Sequence, residues 1–267
     1  MRIRPFLRSI RLEREEVPDF SRYPFSIPAL GSLDTLDTLE FHEKVTFLVG
    51  ENGSGKSTLM EAVAVVCGFC AEGGGRNFQL ETRATHSALW RYLRAENGPL
   101  PPRDGYFLRA ESFYNVATYL EELDEVSAPA LPVLTAYGGS LHERSHGESF
   151  FALLQNRLGR DGLYLFDEPE AALSPLRQMA MLSRLHQLTE EGCQFIIATH
   201  SPILLAYPHS RIYQLDETGI RAISYEESAP FQLTRRFLND YRRMTAELLD
   251  GPGGMTEHPD AERSKVP

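Results

Sequence analysis

The hydrophobic and polar positions along the chain predict an alternation of strands and helices. The segment FLRSIRLERE, at residues 6–15, alternates apolar and charged positions as a half-buried strand does. The segment LDTLEFHEKVTFLVG, at 36–50, contains a second alternating run and then a mostly apolar one. Apolar runs of strand length follow further on, and helical patterns lie between them. The predicted strands are 163–167, 194–200, 211–217 and 220–225, and the predicted helices are 59–70, 85–96, 148–158, 174–190 and 231–249.

This order of elements predicts the fold class. Strands that alternate with helices indicate an α/β domain with a mostly parallel sheet. The N-terminal strands have the antiparallel pattern and predict an extra flanking sheet. We expect one domain over residues 1–249, with a helical lid lobe at about 76–158 that includes a loop at 97–105 and a strand, turn and helix at 106–125. Residues 250–267 are polar and rich in Gly and Pro, which predicts a disordered tail.

Composition narrows the class of protein. The chain has 267 residues, 42% of them hydrophobic, and its net charge of −10 gives no overall attraction to nucleic acid. No stretch is apolar enough to be a signal peptide or a membrane span, so we expect a cytoplasmic protein. Two basic clusters could still bind a phosphate backbone, or could simply be solvated surfaces paired with local acids. They are Arg2, Arg4, Arg8, Arg11 and Arg14, and Arg235, Arg236, Arg242 and Arg243.

A glycine-rich run, GENGSGKST at residues 50–58, lies between an apolar strand and a predicted helix. It matches the phosphate-loop pattern G-x-x-x-x-G-K-[ST] in the context which that motif requires. Lys56 is expected to reach the β- and γ-phosphates of a nucleotide, and the Ser57 hydroxyl to hold Mg²⁺. The predicted binding residues are Gly50, Glu51, Asn52, Gly53, Ser54, Gly55, Lys56, Ser57 and Thr58.

Two carboxylates, Asp167 and Glu168, end the apolar run LYLFDE. Ligands of parallel sheets bind at the carboxyl ends of the strands, so this pair is expected near the phosphate loop. Asp167 can coordinate Mg²⁺, and Glu168 can polarise an attacking water as a general base. Without the upstream loop, the pair would more simply be a helix cap or a solvated feature.

Taken together, residues 1–225 resemble an ATP-binding-cassette (ABC) ATPase, of the soluble branch that includes RecF and the structural-maintenance-of-chromosomes heads. The resemblance implies a P-loop NTPase fold of ABC type that hydrolyses ATP with Mg²⁺. In this family a signature helix begins about twenty residues before the Walker B carboxylates, and Gly147 of RSHGE lies twenty residues before Asp167. The resemblance implies that Ser145 and Gly147 contact ATP held by a second subunit, which predicts a homodimer. From the residues alone, Ser145 is equally an ordinary helix cap.

Three more segments carry the resemblance. DEPEAALSP, at 167–175, resembles Walker B running into the D-loop, which would lie at the dimer interface. FIIATHSP, at 195–202, resembles the switch strand and implies that His200 senses the γ-phosphate. Glu111 stands where the lid glutamine is expected, and it could position Mg²⁺ or water or be a plain loop carboxylate. Tyr23 and Phe25 are candidates to stack on adenine.

The resemblance leaves the biological role open. The segment between Thr58 and Arg144 has no sustained heptads, so the long coiled-coil arms of chromosome-maintenance proteins are not expected. The 67 residues after His200 are too few for an appended Toprim nuclease, so any effector activity is expected from a separate partner. By analogy with the family, DNA repair or antiviral defence is the expected setting. The alternatives are the nucleotide-binding subunit of a membrane transporter and a nucleotide-gated scaffold with little turnover.

Overall fold

A computed structural model describes residues 5–75, 87–110 and 146–250. Its strands are β1 Leu7–Leu12, β2 Leu39–Glu40, β3 Val45–Val49, β4 Gly74–Gly75, β5 Leu93–Asn97, β6 Asp104–Arg109, β7 Gly162–Asp167, β8 Gln194–Ala198, β9 Ser210–Asp216 and β10 Gly219–Ile223. Its α-helices are α1 Pro28–Gly31, α2 Lys56–Val66, α3 His146–Asn156, α4 Pro175–Glu190, α5 Pro202–Leu205, α6 Ala229–Asn239 and α7 Tyr241–Asp250. Short 3-10 helices cover Arg14–Glu16, Ser32–Asp34, Ala88–Tyr92, Pro169–Ala172 and Tyr225–Glu227.

The main sheet has the predicted, mostly parallel arrangement. Its seven strands run in the order β10-β9-β3-β8-β7-β6-β4. β9, β3, β8, β7 and β6 are parallel, and β10 and β4 add antiparallel edges. The carboxyl ends of β3, β7 and β8 therefore meet at one edge of the sheet, which is where the phosphate loop, the carboxylate pair and His200 follow.

Hydrophobic layers cover both faces of this sheet, which explains why its strands are continuous apolar runs. On one face, Phe47 and Phe166 pack in a cluster that includes residues of α3 and α4. On the other face, Leu48 and Leu165 pack against residues of α2 and the N-terminal strands. Neighbouring residues of one strand thus point into different layers.

The flanking antiparallel sheet is confirmed, but its third strand was predicted as a helix. β1 pairs with β2 on one side and with β5 on the other. The described part of the predicted helix at 85–96 is a 3-10 turn, Ala88–Tyr92, followed by β5. β5 lies antiparallel to β1, with Leu12 opposite Leu93 and Ile10 opposite Ala95. This long-range pairing overrides the local helical pattern because it satisfies the exposed edge of β1.

The prediction of a single C-terminal helix at 231–249 is wrong, because this segment forms two helices. α6 ends at Asn239 and α7 begins at Tyr241, and the intervening Asp240 has φ −143° and ψ 46°. The Asp240 N–H donates to the carbonyls of Arg236 and Phe237, which closes α6.

Several predictions lie outside the described residues. They concern Ser145, Glu111, most of the proposed lid lobe, and residues 251–267 of the tail. Within the described part of the chain, no helix is both long enough and apolar enough to span a membrane.

Candidate nucleotide-binding site

The phosphate loop is a strand–loop–helix turn built on glycine. Gly53 and Gly55 have φ of 81° and 95°, a left-handed conformation that other residues rarely adopt. At Gly50, a Cβ atom would lie 2.3 Å from the Leu215 carbonyl oxygen, so a side chain there would displace β9 or the loop. Gly55 is the N-cap of α2, and no side chain caps the helix. The N-terminus of α2 can therefore present its N–H groups and dipole to a phosphate.

Lys56 is held inside this loop. Its Nζ donates to the carbonyl oxygens of Gly50, at 2.9 Å, and Glu51, at 3.0 Å, and the residue is 4% exposed. Burial lowers the pKa of Lys56, and the nearby carboxylates of Glu168, Asp167 and Glu170 oppose that effect. A phosphate bound on the loop would act in the same direction as those carboxylates and would stabilise the ammonium form.

Ser57 and Asp167 place two oxygen donors side by side. The Ser57 Oγ donates to Asp167 Oδ1 at 3.2 Å, joining the first turn of α2 to the end of β7. Asp167 is 6% exposed. Mg²⁺ prefers oxygen ligands and usually takes one or two from the protein, with water and phosphate supplying the others. Among the described residues no group of three His, Cys, Asp or Glu side chains could enclose a metal, and the Ser57–Asp167 pair fits Mg²⁺ delivered with a nucleotide.

Arg109 is a site residue that the sequence analysis missed. It ends β6 directly opposite Asp167 in the parallel register. Its Nε lies 3.9 Å from Asp167 Oδ2, and its Nη1 lies 3.3 Å from Glu61 Oε2 and donates to the Ala71 carbonyl. The side chains of Arg109, Glu61 and Asp167 are 16%, 13% and 7% exposed, so the cation compensates two carboxylates that are mostly buried. A charged residue ending an apolar strand was the available signal.

Glu168 and His200 face each other beyond the ends of β7 and β8. His200 Nε2 lies 3.4 Å from Glu168 Oε1, and both side chains are about one-third exposed, at 35% and 38%. Glu168 has φ 53°, and its N–H donates to the Ala198 carbonyl at 2.9 Å. The His200 N–H donates to Glu170 Oε1. These bonds hold the backbone of Glu168 and His200 at the mouth of the sheet, where a general base can reach water.

The start of α3 packs against the turn that follows the carboxylates. A Cβ atom at Gly147 would lie 2.5 Å from the Ala172 carbonyl oxygen and 2.8 Å from Arg177 Nη1. Glu148 lies on the same turn of α3, with Oε1 3.6 Å from Arg177 Nη2. Ser174, where the family has aspartate, is the N-cap of α4 and accepts from the Arg177 N–H at 3.4 Å. The proposed signature and D-loop segments are therefore in direct contact.

Two clefts open beside the phosphate loop. One, of about 620 Å³, is lined by Gly50, His200 and Arg236 among others. The other, of about 730 Å³, is lined by Asn52, Ser54 and residues 27–29. The prediction that Phe25 could stack on adenine is wrong. Its side chain is buried against Phe20 and Tyr92, with ring centroids 5.2 and 5.6 Å away. Tyr23 is exposed, and its role stays a prediction.

The basic clusters differ in how far they are paired. In the N-terminal cluster, Arg2 and Arg4 lie outside the described residues. Arg11 lies 3.1 Å from Glu13 and Arg14 lies 2.8 Å from Asp34, as in a solvated, paired surface. In the C-terminal cluster, Arg243 pairs with Glu247 at 2.7 Å, whereas Arg236 lines the first cleft.

Comparisons with known proteins agree with this geometry. Residues 26–127 match the model of the family described as "AAA domain", and residues 131–206 match that described as "AAA domain, putative AbiEii toxin, Type IV TA system". The arabinose import ATP-binding protein AraG of Mannheimia succiniciproducens is 30% identical over 68% of this chain. The zinc import ATP-binding protein ZnuC of Vibrio vulnificus is 28% identical over 63% of it. The chain spans 38% of the length of AraG and 61% of that of ZnuC.

Solved structures are similar at low identity. The SMC head domain from Thermotoga maritima has a TM-score of 0.36 and 16% identity, over 70% of this chain and 92% of its own. CbiO1 of Clostridium perfringens, part of an ABC transporter complex, has a TM-score of 0.43 and 16% identity, over 79% and 90%. The phosphate loop, the Ser57–Asp167 pair and the sequence matches, taken together, support an ABC-type P-loop ATPase.

Proposed function

We propose that this protein is a Mg²⁺-dependent ATPase that works as a switch, closing into a dimer around two ATP molecules and reopening after hydrolysis. The observation that carries the proposal is the meeting of Glu168 and His200, 3.4 Å apart, on the strand ends beside the phosphate loop. This arrangement offers a base and a polar partner to a water near a bound γ-phosphate.

Each residue would have a distinct part in the reaction. The N–H groups of residues 53–58 and the Lys56 ammonium would bind the phosphates, and Ser57 and Asp167 would hold Mg²⁺, which neutralises phosphate charge. Glu168 would accept a proton from the attacking water, and His200 would orient it and contact the γ-phosphate.

The dimer part of the proposal rests on α3. The start of this helix, at Gly147, packs on the turn Pro169–Ala172, which follows Glu168 directly. A helix N-terminus attracts phosphate, so a second subunit facing this surface would complete the site. Ser145 and Gly147 of one chain would then face the phosphate loop of the other.

The test is the molar mass of Glu168→Gln by light scattering, with and without Mg-ATP. We expect a monomer that becomes a dimer with Mg-ATP and stays a monomer when Ser145→Arg is added. A mass that ATP does not change would overturn the homodimer switch. Glu43→Gln is the matched control, because it alters an exposed carboxylate just before β3, at the end of that strand away from the phosphate loop.

A second candidate is the ATP-binding subunit of a transporter, which the identity to AraG and ZnuC favours. The strand FIIATHSP, Glu111 in place of the lid glutamine and the variant RSHGE turn favour instead the soluble RecF-like branch. Recovery of the protein from membranes in complex with an integral permease would support the transporter role. Recovery of Glu168→Gln with a soluble effector or a DNA-processing protein would support the soluble switch.

The basic residues of α6 are candidates for direct binding of nucleic acid. Arg236 lines the cleft beside Gly50 and His200, so DNA bound at α6 could alter turnover. We expect DNA-stimulated ATP hydrolysis that is lost in the double variant Arg235→Gln, Arg236→Gln. The variant Arg11→Gln, Arg14→Gln is the matched control because these side chains are already paired with acids.

A further inference from the structure

Gln178 connects two loops of the site that are distant in sequence. It lies in the first turns of α4, half-buried. Its Nε2 donates to the Leu173 carbonyl at 2.9 Å, at the end of the turn that follows Glu168. Its Oε1 accepts from the Ser201 hydroxyl at 2.6 Å, in the residue directly after His200. One amide thus joins the loop carrying the candidate base to the loop carrying the candidate γ-phosphate sensor.

The hydrogen bonds of the Ser201 hydroxyl fix the orientation of the Gln178 amide. The Ser201 Oγ accepts from the N–H groups of Ile203, at 3.2 Å, and Leu204, at 3.1 Å, because Ser201 caps α5. With both of its acceptor positions in use, Oγ can only donate toward Gln178. A flipped amide would place its NH₂ group against that hydroxyl and its oxygen against the Leu173 carbonyl, so the observed orientation is the one that satisfies every group.

The surroundings make the bridge stiff. Leu173 is 6% exposed and Ser201 is 5% exposed, so water competes little for these bonds. The Leu173 N–H donates to the Glu170 carbonyl, and the Glu170 carboxylate accepts from the His200 N–H. The two loops are therefore tied at Glu170 and again at Gln178, and a shift of one loop is transmitted to the other.

We infer that Gln178 is a positioning residue that couples the turn Pro169–Leu173, against which the start of α3 packs, to the placement of His200. This inference rests on the proposed ATPase switch. Through Gln178, movement of the turn when the dimer closes would be passed to the loop of His200, so that the imidazole stays facing Glu168. Because the amide of Gln178 bonds to Leu173 and Ser201, we assign it no direct part in binding the nucleotide, so its loss should affect turnover and leave nucleotide binding intact.

The main variant is Gln178→Met, which keeps the length of the side chain but neither donates nor accepts as an amide does. The matched control is Gln187→Met, on an exposed position of the same helix, where the amide oxygen makes only a 3.4 Å contact with Arg184. Gln178→Glu is the second variant, because it can still accept from Ser201 but cannot donate to Leu173.

We compare three quantities: the affinity for Mg-ATP, kcat, and the NMR resonances of the His200 imidazole in nucleotide-free protein. These resonances are assigned by their loss in His200→Gln. In Gln178→Met we expect kcat to fall about ten-fold or more, an affinity within about two-fold, and displaced His200 resonances. Gln178→Glu should keep the His200 resonances near their wild-type positions but lose turnover as Gln178→Met does. Gln187→Met should match the wild type throughout.

The outcomes separate this inference from the dimer proposal. Unchanged His200 resonances in a folded Gln178→Met protein would overturn the coupling, whatever the oligomeric state. A lowered melting temperature with unchanged kcat and unchanged resonances would show a merely structural role and would also overturn it. Displaced resonances in a protein that ATP does not dimerise would keep the bridge and reject the dimer switch.

Discussion

Ser57 and Asp167 are 110 positions apart in sequence, and their side chains meet in a 3.2 Å hydrogen bond. This contact joins the phosphate-loop helix to the strand that carries Glu168. It brings together an alcohol and a carboxylate, both oxygen donors of the kind that Mg²⁺ prefers.

Loss of the Asp167 carboxylate should remove the effect of Mg²⁺ on nucleotide binding. Mg²⁺ should raise the affinity for ATP by some factor in the wild type. We expect that factor to be at least about ten-fold smaller in Asp167→Asn, because a neutral ligand binds the cation weakly. Calorimetric titration with ATP, in Mg²⁺ and in EDTA, measures this difference. Asp37→Asn, at an exposed position, is the control. An equal response to Mg²⁺ in both variants would show that Asp167 is not a ligand.

At Glu168 the left-handed backbone favours glycine for stability, whereas the proposed activity needs the carboxylate. Its φ of 53° is unfavourable for a residue with a Cβ atom and is easily adopted by glycine. Glu168→Gly should therefore be more stable than Glu168→Ala by about 0.5–1 kcal/mol in urea unfolding, while both lose at least about 100-fold in kcat.

Asp161 offers a matched comparison because its φ is 54° and it lies at the opposite end of β7. Asp161→Gly should likewise be more stable than Asp161→Ala in urea unfolding, by a similar free energy, with kcat unchanged in both variants. Turnover that survives in both Glu168 variants would favour the nucleotide-gated scaffold, because the candidate base would then be dispensable.

The buried Lys56 predicts a specific pH dependence of stability. Its pKa is lower in the folded protein than the ordinary value of 10.5, so between these two pKa values the unfolded chain binds more protons. The free energy of unfolding should therefore rise with pH as the lysine loses its proton in the folded state, up to about pH 10.5. Urea unfolding of the wild type and of Lys56→Met, at a series of alkaline pH values, isolates this contribution. A difference between the two proteins that does not vary with pH would contradict it.

Gly147 has no room for a side chain where α3 meets Ala172. The Cβ atom of Gly147→Ala would lie 2.5 Å from a carbonyl oxygen, so the start of α3 must move. We expect ATP binding within about two-fold of the wild type, and loss of the ATP-induced dimer when the variant is combined with Glu168→Gln. Light scattering measures the dimer. Gly159→Ala is the control, because its nearest neighbour would be an ordinary 3.4 Å away.

Arg109 should contribute to stability as well as to the site. Arg109→Met would leave the mostly buried carboxylates of Glu61 and Asp167 without this cation, and we expect a loss of about 3 kcal/mol in urea unfolding. Mg²⁺ should restore part of this loss, because it supplies positive charge beside Asp167. Arg94→Met, where the arginine is 62% exposed, should change stability by less than about 1 kcal/mol. No rescue by Mg²⁺ would show that the cation does not bind beside Arg109.

The sequence alone predicted the parts that depend on local pattern. The apolar runs of β3, β7 and β8 predict buried parallel strands because both faces of such a sheet are covered. The phosphate loop was predictable because its glycines, lysine and serine lie within the single segment 50–58, and the loop geometry requires those residue types. The positions of Asp167, Glu168 and His200 were predictable from strand ends: Asp167 ends β7, Glu168 follows it, and His200 lies two residues beyond β8.

Only the tertiary structure decided the features that depend on distant partners. Residues 93–97 became a strand because β1 offered an edge, although their local pattern indicated a helix. Phe25 became a core residue because Phe20 and Tyr92 pack on it. Arg109 ends an apolar strand, but neither its partners nor those of Gln178 could be predicted from the local pattern, because the fold brings them together. The physical reason is the same throughout: local geometry is encoded by neighbours along the chain, whereas pairing, burial and charge compensation are set by which segments the fold brings together.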